Sequence, residues 1–360
     1  PGAIISVQNA YVSRTMEFKG LCISTMAAAL SSGAVGVAMA WAGFGVWALV
    51  GQQVLYYLVL MGVLFITVPW RPAAAFAPER VESMFRFGWK LLCASLVDTL
   101  FTNLYGLVVG KIYDENTMGV YSRGEQFPKL IVTNLGTAIQ AVMLPALSAR
   151  QTHPEQVLSL LRRAIKTSVF LVLPMMAGLA AAADNLVLVL LGEKWMDCVP
   201  YLQISCLAYA VWPMDIANLQ ALNAMGRSDV FLKLEIVKKV VGVVILLLSM
   251  KCGAVTFIAW KAAGDFLCTF INAWPNQKLL GYSIRQLWRD ILPAVLVSAV
   301  MGAVVYCSCF LLPAGFLGLG GQVMLGVAVY LFLSWILRLE SFSYLWNLVW
   351  DKLSGRISEQ

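Results

Sequence analysis

Long apolar runs recur along the chain, each closed by a short polar turn. They fall at residues 20–41, 45–68, 87–111, 119–147, 165–191, 198–224, 231–251, 254–279, 289–312 and 317–338. A hydrocarbon core about 30 Å thick is crossed by about 20 helical residues. Lipid also obliges each spanning segment to satisfy its own backbone polar groups, which selects helices over open strands. The pattern predicts an all-α integral membrane protein of about ten transmembrane helices. Plain breaks separate them, at Trp41-Ala-Gly-Phe-Gly45, Gly192-Glu-Lys-Trp195, Gly226-Arg-Ser-Asp229 and Lys251-Cys-Gly253.

Basic residues gather in alternate turns. One side takes Arg14, Lys19, Arg71, Arg80, Arg86, Arg150, Arg162, Arg163, Lys166, Arg227, Lys278, Arg285, Arg289, Arg338, Lys352 and Arg356, and the other little beyond Lys111, Lys194 and Lys251. Positive charge marks the cytoplasmic side, so both termini are expected there, and the unbroken alternation supports the span count. The chain opens on Pro1 without an initiator Met or a signal peptide, and an N-terminal truncation is expected.

Composition narrows the class. Of 360 residues, 60% are hydrophobic and 12% charged, against about 25% charged for a soluble domain. Too little polar surface remains to cover a water-soluble globule. The net charge of +7 lies in short clusters between spans, not on one nucleic-acid face. The eight cysteines are scattered and match no zinc or redox spacing, and His153 stands alone, so no metal site and no cofactor are expected. The sequence holds no Walker A loop, dinucleotide fingerprint or HExxH, and no enzyme is expected.

Small residues crowd several spans, as in Ala27–Gly33 and Ala177–Ala183, and allow close helix packing in lipid. Pro128, Pro145, Pro174, Pro213 and Pro275 fall within or at the ends of spans. Proline kinks a helix by removing a backbone bond; such breaks line cavities in transporters, or are plain packing kinks. A short echo links Arg14–Lys19 with Arg227–Lys233, six helices apart.

Ionisable residues within spans are expensive and usually face a cavity or a partner. Here they are Asp98, the trio Arg123, Glu125 and Lys129, then Asp215 beside Asn218, and Lys261 with Asp265. Glu125 with Lys129 and Lys261 with Asp265 are spaced to neutralise one another along a helix. Lys233, Glu235, Lys238 and Lys239 read as snorkelling charges at a membrane edge. Arg123 and Asp98 have no local partner. Arginine and lysine in a wet cavity suit a phosphate or diphosphate. Tyr105, Tyr113, Tyr121, Trp195, Tyr201 and Trp212 are either sugar platforms or interface anchors.

Several strings, in order, resemble one family. They are Gly43-Phe-Gly-Val-Trp-Ala-Leu-Val50, Phe87-Gly-Trp-Lys-Leu-Leu92, Met118-Gly-Val-Tyr-Ser-Arg-Gly124, Leu144-Pro-Ala-Leu-Ser148, Leu191-Gly-Glu-Lys-Trp195 and Ala224-Met-Gly-Arg-Ser-Asp229. They look like the polysaccharide exporters of the multidrug/oligosaccharidyl-lipid/polysaccharide superfamily, in particular the Wzx-type O-antigen and colanic-acid flippases. The resemblance runs from the start to about residue 280.

It implies two six-helix bundles around a central cavity, with an added C-terminal pair, about fourteen spans in all. The expected organisation is residues 1–70 from a first bundle, 71–285 as a second bundle, 286–340 as the terminal pair and 341–360 as a cytoplasmic tail. In that register the first four helices are absent. The implied activity is flipping of undecaprenyl-diphosphate-linked oligosaccharide from the cytoplasmic to the periplasmic leaflet of a bacterial inner membrane, for O-antigen, capsule or exopolysaccharide. Alternating access would drive it, beside the polymerase and chain-length components of the same pathway. Arg123, Lys129, Lys261 and Lys90 are the candidate diphosphate or sugar ligands, and Asp98 and Asp215 the candidate coupling-ion carboxylates. Alternatives are a cation-coupled small-molecule antiporter, expected to need an acid-lined cavity, and a membrane polymerase or ligase of lipid-linked sugars, expected to need a large catalytic loop.

Overall fold

The computed structural model describes residues 2–15, 18–68, 103–150 and 153–353, with isolated positions between 82 and 101. Among these residues the chain is helical throughout and contains no strand. It divides into two compact units, Pro1–Leu92 and Cys93–Gln360.

In the first unit, α1 (Gly2–Thr15), α2 (Phe18–Trp41) and α3 (Val46–Thr67) pack together. The α2–α3 turn needs Gly43 (φ 84°) and Gly45 (φ 54°), backbone conformations that a Cβ disfavours. Ile5, Val12, Ala28, Leu60 and Leu64 form the apolar contact. The Ser24 hydroxyl, bonded to the Gly20 carbonyl, lies 3.2 Å from the Thr67 hydroxyl and so links α2 to α3. Helix α1 was not anticipated from the sequence, because its mixed polarity resembles no membrane span.

The second unit opens with α4 (103–112) and the 34-residue α5 (Glu115–Ser148). Asp114 caps α5, its carboxylate accepting from the Thr117 amide at 2.7 Å. Then come α6 (Pro154–Ala181), α7 (Ala183–Leu190), a 3-10 turn (Glu193–Cys198), α8 (Val199–Ala210) and α9 (Trp212–Ala224). They are followed by α10 (Ser228–Ser249), α11 (Ala254–Leu280), α12 (Ile284–Ser308), α13 (Phe316–Ile336) and α14 (Glu340–Leu353). Among the described residues six helices are long and apolar enough to cross a membrane, namely α2, α3, α6, α11, α12 and α13. The expected span 198–224 is the α8–α9 pair, interrupted at Val211, and 231–251 is α10, which carries five charges.

Helix α5 lies against α8 and α9, α6 against α8, α9 and α12, and α11 against α8, α9 and α10. Glycine makes the tightest approach possible: a Cβ at Gly124 would stand 2.8 Å from the Cys198 carbonyl and the Leu202 amide. The terminal pair is held by an amide link, where Asn185 of α7 donates to Gln322 of α13 at 3.2 Å and accepts from the Gly315 amide at 2.8 Å. The segment expected to be a cytoplasmic tail contains α14, which packs on α6.

Candidate functional site

Two elements put polar groups inside the second unit. The first is the broken helix α8–α9. Pro213 has no N–H to return to the preceding turn, the helix stops at Ala210, and α9 restarts at Trp212 with Asp215 in its first turn. Free amides at a helix N-terminus favour a carboxylate there. The second element is α11, where Lys261, Asp265, Thr269, Asn272 and Asn276 recur every three or four residues. That spacing aligns them along one face over roughly 22 Å.

The two stripes meet. Asp215 accepts from the Asn272 side-chain amide at 2.9 Å and from the Thr269 hydroxyl at 3.2 Å. Deeper in, Asn276 donates to the Asn218 side-chain oxygen at 2.7 Å, and both residues are fully buried. At the other end of the stripe, the Lys261 ammonium donates to the Glu125 carboxylate of α5 at 3.3 Å and lies 3.9 Å from Asp265. The Tyr209 hydroxyl donates to the same Glu125 oxygen at 3.1 Å. The Tyr105 ring sits 5.8 Å from the ammonium, and its hydroxyl donates to the Gly242 carbonyl at 2.9 Å.

Six of these groups, Tyr105, Tyr209, Asp215, Lys261, Asp265 and Asn272, border a cavity of about 470 Å³ between α4, α8–α9, α10 and α11. Its cations are Lys238, Lys239 and Lys261, its acids Asp215, Glu235 and Asp265, and Tyr105, Tyr209 and Trp212 supply aromatic faces. The buried amide oxygen of Asn272 has no partner among the described residues. The cavity can therefore offer ammonium groups, a carboxylate at a helix start and an open acceptor to a polar ligand.

The structure brings together two of the six residues singled out from sequence, Lys261 and Asp215. Arg123 is exposed on α5, donates to Gln126 at 3.0 Å and covers the Trp195 ring at 5.3 Å. Neither Arg123 nor Lys129, also exposed, lines the cavity. Lys90 and Asp98 lie outside the described residues. Among the described residues Glu125 makes its ion pair not with Lys129 on its own helix but with Lys261 on α11, where two half-buried charges are screened less than a pair with the exposed Lys129 would be. Glu235, Lys238 and Lys239, which read as snorkelling charges, line the cavity because α10 turns that face toward α11. Thr269, Asn272 and Asn276 were missed, although their continuation of the Lys261–Asp265 spacing was the available signal.

Residues 1–200 match the family described as "Polysaccharide biosynthesis protein". The chain belongs to this family. Among curated relatives it is 22% identical over 249 residues to the teichuronic acid biosynthesis protein TuaB of Bacillus subtilis (strain 168), covering 68% of this chain and 52% of that one. It is 26% identical over 277 residues to the lipopolysaccharide biosynthesis protein WzxC of Escherichia coli (strain K12), covering 72% and 56%. Over 217 residues it is 23% identical to the succinoglycan biosynthesis transport protein ExoT of Rhizobium meliloti (strain 1021), covering 60% and 44%. The chain spans about half the length of the curated relatives it matches. Its fold is similar to that of the lipid II flippase MurJ in an inward closed conformation, with TM-score 0.74 and 14% identity over 93% of this chain and 70% of that one. It is thus a multi-pass, all-α membrane protein of the flippase fold.

Proposed function

We propose that this protein is a transporter, not an enzyme, that carries lipid-linked oligosaccharide bearing a diphosphate from the cytoplasmic to the periplasmic leaflet of a bacterial inner membrane by alternating access. The polar cavity along α11 would be part of the path. The observation that carries the reading is Lys261, a half-buried ammonium between two helices and beside an aromatic wall in a member of a polysaccharide biosynthesis family. In this conformation its charge is offset by Glu125 and Asp265. An incoming diphosphate would compete with those carboxylates and loosen α5 from α11, while sugar hydroxyls would reach the unpartnered Asn272 oxygen. Asp215 is the proposed site of ion or proton coupling. The family relationship and the names of the relatives support the transport class, and the Lys/Arg distribution supports cytoplasmic termini. Residues 71–285 would act as one bundle with 286–340 as an appended pair.

One observation supports a second reading. Acids and bases line the cavity in equal number, which also suits a cation-coupled antiporter of small molecules. Export of surface polymer, scored in a strain lacking its own exporter, separates the two. The flippase reading expects polymer with the wild type and loss with either Lys261→Gln or Asp215→Asn at equal membrane levels. Polymer export unchanged by Lys261→Gln would remove the diphosphate role of Lys261, and no polymer from a well-inserted wild type would favour the antiporter.

A further inference from the structure

A second cavity, of about 550 Å³, lies where α6 and α12 begin and α13 stops. It shares no lining residue with the cavity on α11. Its walls carry Arg162 and Lys166 from α6, Arg289 and Asp290 from α12, and Arg338 and Glu340 from the α13–α14 turn.

The two carboxylates differ in kind. Asp290, with 6% of its side chain exposed, accepts from Arg162 Nε and Nη2, both at 2.7 Å, and from the Tyr282 hydroxyl at 3.0 Å. Those bonds nearly fill its acceptor capacity and clamp α6 to α12. Glu340 is 82% exposed and reaches only Lys166, at 2.7 Å. An exposed pair of that sort contributes little and is easily exchanged. Among the described residues, no carboxylate lies within 4.0 Å of Arg289 or Arg338. One carboxylate is thus committed, one is loosely held, and four cations face the same space.

The location fits an interfacial ligand. Trp335 and Trp346 beside the α13–α14 turn are 65% and 58% exposed, and exposed tryptophan near the end of an apolar helix marks headgroup depth. Arg338 holds a left-handed backbone (φ 47°) at the turn, which folds α14 back toward α6.

We infer that this cavity binds the phosphate of an anionic phospholipid headgroup, and that the Glu340 carboxylate occupies the anion's place here and leaves when the lipid enters. Arginine guanidinium groups take phosphate oxygens in a bidentate fork, and Lys166, which Glu340 now shares with Asp290 at 3.5 Å, supplies a point charge. Lipid binding would release α14 from α6, making the attachment of this helix sensitive to the charge of the leaflet.

The test measures lipid affinity of the purified protein by native mass spectrometry and thermal stabilisation, with phosphatidylglycerol against phosphatidylcholine. The wild type is expected to prefer phosphatidylglycerol. The double variant R289Q/R338G should lose about thirtyfold in that affinity, from two surface cations removed, while unfolding in phosphatidylcholine no earlier than the wild type. E340Q should bind phosphatidylglycerol more tightly, which keeps the test alive should the double variant fold poorly. R285Q, an exposed change on α12 outside the cavity, should bind as the wild type does. Equal loss in R285Q and R289Q/R338G would mean general surface charge and overturn the site. Inorganic phosphate stabilising the protein as well as the lipid does would overturn the lipid assignment, and unchanged binding by E340Q would overturn the displacement.

Discussion

Replacing Lys261 by methionine keeps the length of the side chain and removes its charge, leaving Glu125 and Asp265 without their shared cation. The pair is partly buried, with side-chain exposures of 21% for Lys261 and 17% for Glu125. At 3.3 Å and an effective dielectric constant of about 20, the gross attraction is about 5 kcal/mol. Desolvation of both ions offsets much of that, yet removing one partner strands the other, at a cost of about 3–5 kcal/mol. Tyr209 still donates to Glu125, so the lower end, about 3 kcal/mol, is expected for K261M. Adding E125Q removes the stranded charge and should recover part of the loss, giving a coupling energy of about 1–3 kcal/mol in a double-mutant cycle. The assay is denaturant unfolding in detergent for wild type, K261M, E125Q and K261M/E125Q. If the two single losses simply add in the double variant, Lys261 and Glu125 are not coupled, and the account of the α5–α11 contact fails.

Four further outcomes are expected. G124A should destabilise by about 1–3 kcal/mol, since its methyl would press on the Cys198 carbonyl and Leu202 amide at 2.8 Å and backbone cannot swing aside; thermal unfolding reads this directly. R338G should raise stability by about 1 kcal/mol by relieving a left-handed arginine, seen as a higher unfolding midpoint in neutral lipid. The Asp114 carboxyl is held below its ordinary value of 3.8 by the Thr117 side chain and amide. Its cap is therefore fully present above that value and lost as pH falls through the lowered one, so D114N should flatten the acid limb of a stability–pH curve. D215N preserves the shape of the site, so it should unfold at the wild-type midpoint while polymer export is lost; export that persists with an unaltered dependence on pH or on the coupling ion would exclude Asp215 from coupling.

The fold was largely legible because lipid imposes one rule everywhere: a segment that crosses must be long, apolar and helical. Expected spans coincide with α2, α3, α11, α12 and α13 within a few residues. Helix α14 was missed because it is short and mixed in polarity, and its position depends on Lys166 and Arg163, remote in sequence. The site was half legible. Lys261 and Asp215 announced themselves as charges among apolar neighbours. Arg123 did so too, but Trp195 claims its guanidinium, a contact set by the fold of the Glu193–Cys198 turn that no local pattern reveals. The crossing of Glu125 to α11 was hidden for a similar reason: spacing along a helix names a neighbour, whereas packing chooses the partner.

The stripe on α11 also bears on how the protein is made. A lysine or aspartate at the centre of a nascent span costs about 2.5–3.5 kcal/mol at the translocon, and α11 brings both, followed by two asparagines. It is joined to α10 by only a short turn, Met250–Gly253, and α10 has five charges of its own. Their natural counterparts, Glu125 on α5 and Asp215 on α9, emerge from the ribosome earlier. The order of synthesis thus delivers the acceptors first and the demanding hairpin second. Entry of α10 and α11 into the bilayer becomes a docking event, templated by helices already in place.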